Sequence, residues 1–100
     1  MKFTKDPDAT TGTSLQGYVQ TTLHELINTF GEPDYYDEGD KVTAEWCLVF
    51  EDGTVASIYD WKRYELGTPE LYELYDWHIG GTSPTAVSTV EYQIRLHSLA

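Results

Sequence analysis

Val42-Thr43-Ala44-Glu45-Trp46-Cys47-Leu48-Val49-Phe50, then Glu51-Asp52-Gly53, then Thr54-Val55-Ala56-Ser57-Ile58-Tyr59-Asp60-Trp61 is the stretch that decides the fold. Its first part alternates: Ala44, Trp46, Leu48 and Phe50 share one face, and Thr43, Glu45, Cys47 and Val49 share the other, the period of a strand with one buried side. Asp52-Gly53 is a strong hairpin signal. A two-residue loop would set Trp46 opposite Tyr59. A three-residue loop with a bulged Gly53 sets Trp46 opposite Ile58 and Leu48 opposite Ala56, which gathers the apolar residues on one face. The second register is expected, and it matters because a slip of one residue sends every side chain to the wrong face.

Moving outward, Thr22-Leu23-His24-Glu25 fits a capping box, with Thr22 as N-cap. Leu23, Leu26, Ile27 and Phe30 follow at helical spacing, and Gly31 and Pro33 close the segment, so a helix is predicted at 23–30. Leu15–Gln20 reads as a strand with Gly17 as a bulge or close approach. Thr68-Pro69-Glu70 predicts a short helix with Leu71, Leu74 and Tyr75 inward. Trp77-His78-Ile79 reads as a short strand closed by Gly80-Gly81. Ser83-Pro84 opens a predicted helix over 85–99, although Val90, Tyr92, Ile94 and Leu96 also alternate like a strand. Residues 1–13 read as a leading loop or, at Lys2–Thr4, an edge strand. The expected fold is a single α+β domain over 1–100: an antiparallel sheet of three to four strands, with two or three helices on one face and the other face open to water or to a partner.

Composition narrows the function. Six Lys and Arg stand against seventeen Asp and Glu, a formal charge of −11. That argues against direct nucleic-acid binding, which needs a basic face, and against anionic membrane surfaces. Apolar residues make up 40% and fourteen residues are aromatic, which supports a packed core. The single Cys47 excludes an internal disulfide. Met1–Lys5 lacks the apolar core of a signal peptide, and no apolar run reaches the ~18–20 residues of a membrane span, so a cytoplasmic protein is expected.

Six segments resemble a group of short bacteriophage-encoded proteins of unassigned activity: Gly12-Thr13-Ser14-Leu15-Gln16-Gly17-Tyr18-Val19, Phe30-Gly31-Glu32-Pro33, Ala44-Glu45-Trp46, Asp52-Gly53-Thr54, Ile58-Tyr59-Asp60-Trp61-Lys62 and Trp77-His78-Ile79-Gly80-Gly81. The resemblance implies an accessory role in the cytoplasm of an infected bacterial host and no particular reaction. In architecture the helix, the Phe-Gly-Glu-Pro loop and the Glu-Trp hairpin are similar to half-domains of the β-lactamase inhibitor protein and outer-membrane assembly lipoprotein folds, which bind proteins.

Two candidate sites follow. The first is a ligand pocket. Thr13 and Ser14 follow Gly12 and offer hydroxyls and backbone N–H groups to a phosphate; Lys62 is one of few cations; Tyr59, Trp61 and Trp77 offer stacking faces; His78 sits beside two glycines. Trp46, Trp61 and Trp77 also suit a small core, and that reading stays open. Such a pocket would sequester a nucleotide-derived immune signal without catalysis. The second is a protein-binding surface: Asp34, Tyr35, Tyr36, Asp37, Glu38 and Asp40, with Glu51 and Asp52, would imitate nucleic acid and occupy a defence nuclease of the CRISPR or restriction type. A plain metabolic or assembly role is the third reading. A calcium loop from Asp34 fails because its third position is Tyr36, although Gly39 falls at the sixth. His24, His78 and His97 have no metal spacing, and no base is placed beside Cys47. No enzyme, metal or cofactor is expected; the partner is a small nucleotide-like molecule or a host protein, and self-association is open.

Overall fold

The computed structural model describes residues 1–37, 40–63 and 66–99. Strands β1 (Phe3–Lys5), β2 (Ser14–Thr21), β3 (Tyr35–Tyr36), β4 (Ala44–Phe50), β5 (Val55–Tyr59) and β6 (Tyr75–Gly81) form one antiparallel sheet. Its order is β1-β4-β5-β6-β2, with β3 also on β4. Helices α1 (Leu23–Phe30) and α2 (Thr85–Ser98) share a core with one face of this sheet. Among the described residues, no helix is long and apolar enough to cross a membrane.

The hairpin takes the three-residue loop. Trp46 faces Ile58 and Leu48 faces Ala56. The Phe50 N–H donates to the Thr54 carbonyl at 2.9 Å, closing the loop around Gly53, whose φ of +89° favours glycine. Ala44, Trp46, Leu48 and Phe50 are all buried on the helix side, as their spacing predicts. The capping box forms too: Thr22 Oγ1 accepts from the Glu25 N–H at 3.1 Å, while Leu26 and Phe30 enter the core. Residues 85–98 are helical, with Val90 fully buried and Val87 and Ile94 against the core. Ser83 Oγ accepts from the Thr85 N–H at 3.3 Å. Tertiary burial of these β-branched side chains outweighs their modest helix propensity.

Two expectations are corrected. The sheet has six strands rather than three or four. The two extra strands, β1 and β3, are three and two residues long and lie end to end along β4; strands that short have no periodicity to read. Of the two readings of residues 1–13, the edge strand holds, one residue further on at Phe3–Lys5, and a 3-10 turn (Pro7–Thr10) follows it. The segment from Thr68 is not helical: Leu71 and Leu74 are exposed, and the Leu71 carbonyl accepts instead from the His24 N–H at the start of α1. Gly80 and Gly81 are the last two residues of β6, as their place after Trp77-His78-Ile79 predicts. There they permit close packing, since a Cβ on Gly81 would meet the Ala86 Cβ of α2 at 2.7 Å.

Candidate functional site

The face of the sheet away from the helices carries a row of polar and aromatic residues. Cross-strand pairing joins Tyr35 to Glu45, Glu45 to Tyr59, Tyr59 to His78 and His78 to Tyr18. Residues paired directly across an antiparallel sheet share a face, so five strands contribute one line. Its rings touch. The Tyr18 and His78 centroids lie 4.9 Å apart, Tyr59 and His78 5.3 Å, Trp61 and His78 6.4 Å, and Tyr59 and Trp61 6.3 Å. Tyr18 and Trp61 keep about half and two-fifths of their surface open to water.

Beside this row the Pro7–Thr10 turn covers part of the face, and Thr10 Oγ1 donates to Cys47 Sγ at 3.4 Å. Burial pushes the Cys47 thiol up to about 11, so it stays protonated and is not a nucleophile at neutral pH. Along the aromatic row lies a hollow of about 250 Å³. Ser57 and Gly80 line it, with Thr13, Ser14 and Leu15 from the β2 side and Val42, Glu45, Tyr59 and Trp61 from the β4–β5 side. Gly80 keeps it open: an added Cβ would overlap Ser57 Oγ and stand 3.5 Å from the Tyr59 ring and 3.6 Å from Thr13 Oγ1.

Asp60 sets the exit of β5. It is fully buried and accepts from the Thr43 N–H at 2.8 Å, the Ala44 N–H at 3.1 Å and the Thr43 hydroxyl. The next residue, Trp61, therefore returns to the open face. Lys62 takes a φ of +54°, uncommon for a side chain with a Cβ, and its Nζ lies 5.7 Å from the Trp61 ring centre. The Lys62 N–H donates to the Lys41 carbonyl at 2.7 Å, which holds the chain after Trp61 beside Val42 on the hollow's wall. Among the described residues the ion pairs are Lys5–Asp34 and Arg63–Glu73; Lys41 and Lys62 belong to neither.

Of the seven residues expected in a ligand pocket, Thr13, Ser14, Tyr59 and Trp61 line the hollow. His78 stacks on its aromatic wall, and Lys62 lies over Trp61. Trp77 is a correction. It is fully buried on the helix side, 5.6 Å from Trp46 and edge-on to it, and its indole N–H donates to the Thr21 carbonyl at 3.3 Å. Neighbours in a strand face opposite ways, so His78 on the open face puts Trp77 in the core. The phosphate cradle is corrected as well, because the N–H and hydroxyl of Thr13 both donate to the Thr10 carbonyl.

The acidic segment is divided among structural tasks. Asp34 Oδ2 accepts the Cys47 N–H at 2.8 Å, filling the gap in the β4 ladder between β1 and β3, and Asp34 pairs with Lys5 at 3.7 Å. The Tyr35 hydroxyl donates to Asp40 at 2.8 Å. That bond holds the Tyr35 phenol up at about 12 and lowers Asp40. Tyr36 and Asp37 are exposed, and Glu38 lies outside the described residues.

Glu45 is the lining residue that sequence reasoning missed, together with Leu15, Val42 and Ser57. It is the only charged residue lining the hollow among the described residues. Burial pushes its carboxyl up, against the lowering effect of the Cys47 thiol, and nearby Asp34 pushes it further. Its signal was alternation: Glu45 shares a strand parity with Cys47, on the face opposite the apolar one. Leu15 was hidden by the bulge between Leu15 and Gly17, which moves it to the open face opposite Gly80.

No protein-family model matches the chain, and no curated protein and no solved structure matches it.

Proposed function

We propose that the protein is a non-enzymatic phage accessory protein that binds and sequesters a nucleotide-derived signal of bacterial immunity, with the planar ring of the ligand in the open-face hollow. The observation that carries this reading is convergence. Thr13, Ser14, Tyr59 and Trp61 come from separate stretches of chain and meet around one opening, and His78, from a further strand, backs the Tyr59 and Trp61 rings. Exposed ring faces take a planar base at ~1–3 kcal/mol per stacked base. Glu45 accepts hydrogen bonds, so it favours a ring edge that presents N–H groups. Lys62, at the Trp61 rim, is the cation placed to meet an anionic group pointing outward. The likeness to short phage proteins supplies the setting.

The hydrogen-bonding of Asp34, Tyr35 and Asp40 within the fold favours this reading over an acidic mimic of nucleic acid, whose charges must be free to meet a partner. Native mass spectrometry of the protein recovered from an infected lysate tests the choice. The expected result is a bound small molecule, with calorimetry against mono- and cyclic dinucleotides giving saturable binding that Trp61→Ala and Lys62→Ala weaken. A stoichiometric host protein with no small molecule would overturn it.

A further inference from the structure

β2 ends the sheet, and the two edges are built differently. On the far edge, β1 and β3 are three and two residues long, and the gap between them is closed by Asp34 and the Lys5–Asp34 ion pair. Short strands and charges of this kind stop one chain from pairing with another. β2 has neither guard. It is eight residues long and carries no charged side chain, in a chain of net charge −11. Its bulge lies at the Leu15–Gly17 end, and Gly17–Thr21 pairs with β6 in unbroken register. Among the described residues, no backbone hydrogen bond reaches β2 from any strand but β6, so the backbone groups on its outer side have no strand to pair with. Leu15 and Tyr18, about half exposed, flank it on the open face.

We infer that β2 pairs with β2 of a second copy of this chain, antiparallel about a two-fold axis at Val19. The choice of a second copy rests on charge. β2 itself carries no charge on a strongly acidic molecule, and the charged residues beside its Val19–Thr21 stretch are one acid and one base of α2, Glu91 and Arg95, so two such edges meet without setting a net negative strip against another. Self-complementarity is what a two-fold contact requires. Gly17 then faces the partner's Thr21, and Tyr18 faces the partner's Gln20. The two sheets become continuous, and the aromatic rows that end at Tyr18 meet across the join. The partner's Tyr18 would flank the open end of each row. This inference does not depend on what the hollow binds.

The register gives a sharp test. Tyr18→Lys/Gln20→Lys puts like charges opposite each other across the axis, and Tyr18→Glu/Gln20→Lys puts opposite charges there, with the same lysine beside Asp76 of β6 in both variants. Light scattering across a concentration series should give the wild type twice the 11.4 kDa chain mass, the first variant one chain mass, and the second the dimer again. Far-ultraviolet circular dichroism and melting confirm that both variants are folded. If either fails to fold, amide exchange in the wild type decides: protection of Gly17–Thr21 should fall on dilution. A wild type monomeric at every concentration, two variants of the same mass, or protection that does not change on dilution would overturn the inference.

Discussion

Asp60→Ala should be among the most damaging single substitutions in this chain. Asp60 is fully buried and receives the Thr43 N–H, the Ala44 N–H and the Thr43 hydroxyl. Alanine leaves two buried backbone N–H groups without acceptors, at ~1–3 kcal/mol each. The Thr43 hydroxyl escapes part of the loss, because the Thr68 hydroxyl, which donates to Thr43 Oγ1 at 2.9 Å, can turn to accept from it. The sum is ~4 kcal/mol against a total stability of ~5–15 kcal/mol for a small domain. At ~4–8 °C per kcal/mol for a domain of this size, the melting midpoint falls by ~16–32 °C. Asp60→Asn is the control. Its amide oxygen still accepts the two N–H groups, and its amide N–H₂ meets a Thr43 hydroxyl free to reverse toward Thr68, so the loss should be only ~1–2 kcal/mol. Urea unfolding followed by tryptophan fluorescence measures both. Equal losses for the two variants, or a loss for Asp60→Ala below ~1 kcal/mol, would refute the assignment of Asp60 as the acceptor that fixes the β5 exit.

Thr22→Ala should lower stability by ~1 kcal/mol by removing the Oγ1 acceptor at the start of α1; an unchanged unfolding midpoint would mean that the cap contributes nothing. Gly80→Ala drives a methyl into Ser57 Oγ and should cost ~1–3 kcal/mol, with Ser57→Ala restoring part of it in the double variant; additive losses would refute the contact. Burial holds the His78 imidazole below its ordinary range, while Asp60 and Asp76 act to raise it, so the unfolded chain takes up this proton first as pH falls. Stability from neutral His78 is therefore full above ~6.5 and declines as pH drops from there toward the folded value; His78→Gln should flatten that part of the stability–pH curve, and an identical slope would contradict it. Ligand affinity should fall only modestly between ~0.1 and ~1 M salt, as the screening length shrinks from ~10 to ~3 Å, and Lys62→Ala should weaken it more than Asp37→Lys; a steep salt dependence with the reverse ranking would point to the acidic surface.

Much of this molecule was legible in its sequence because the signals are local. Thr22, Glu25 and the apolar spacing to Phe30 define α1 through contacts within one turn. Alternation from Ala44 to Phe50 with Asp52-Gly53 defines the hairpin, and the wish to keep Trp46, Leu48, Ala56 and Ile58 together selects its register. Parity alone could also have separated Trp77 from His78, since adjacent strand residues cannot share a face. What tertiary structure decided depends on distant partners. β1 and β3 are strands only because β4 offers them an edge. Pro69 and the segment after it give up a helix to reach the N-terminus of α1. Leu15 faces the hollow because the β2 bulge offsets its pairing with β6, and Gly80 is needed because Ser57 lies across from it on β5. The hollow itself is made of residues from several stretches of chain, and no spacing along one dimension encodes which side chains the sheet order β1-β4-β5-β6-β2 brings side by side.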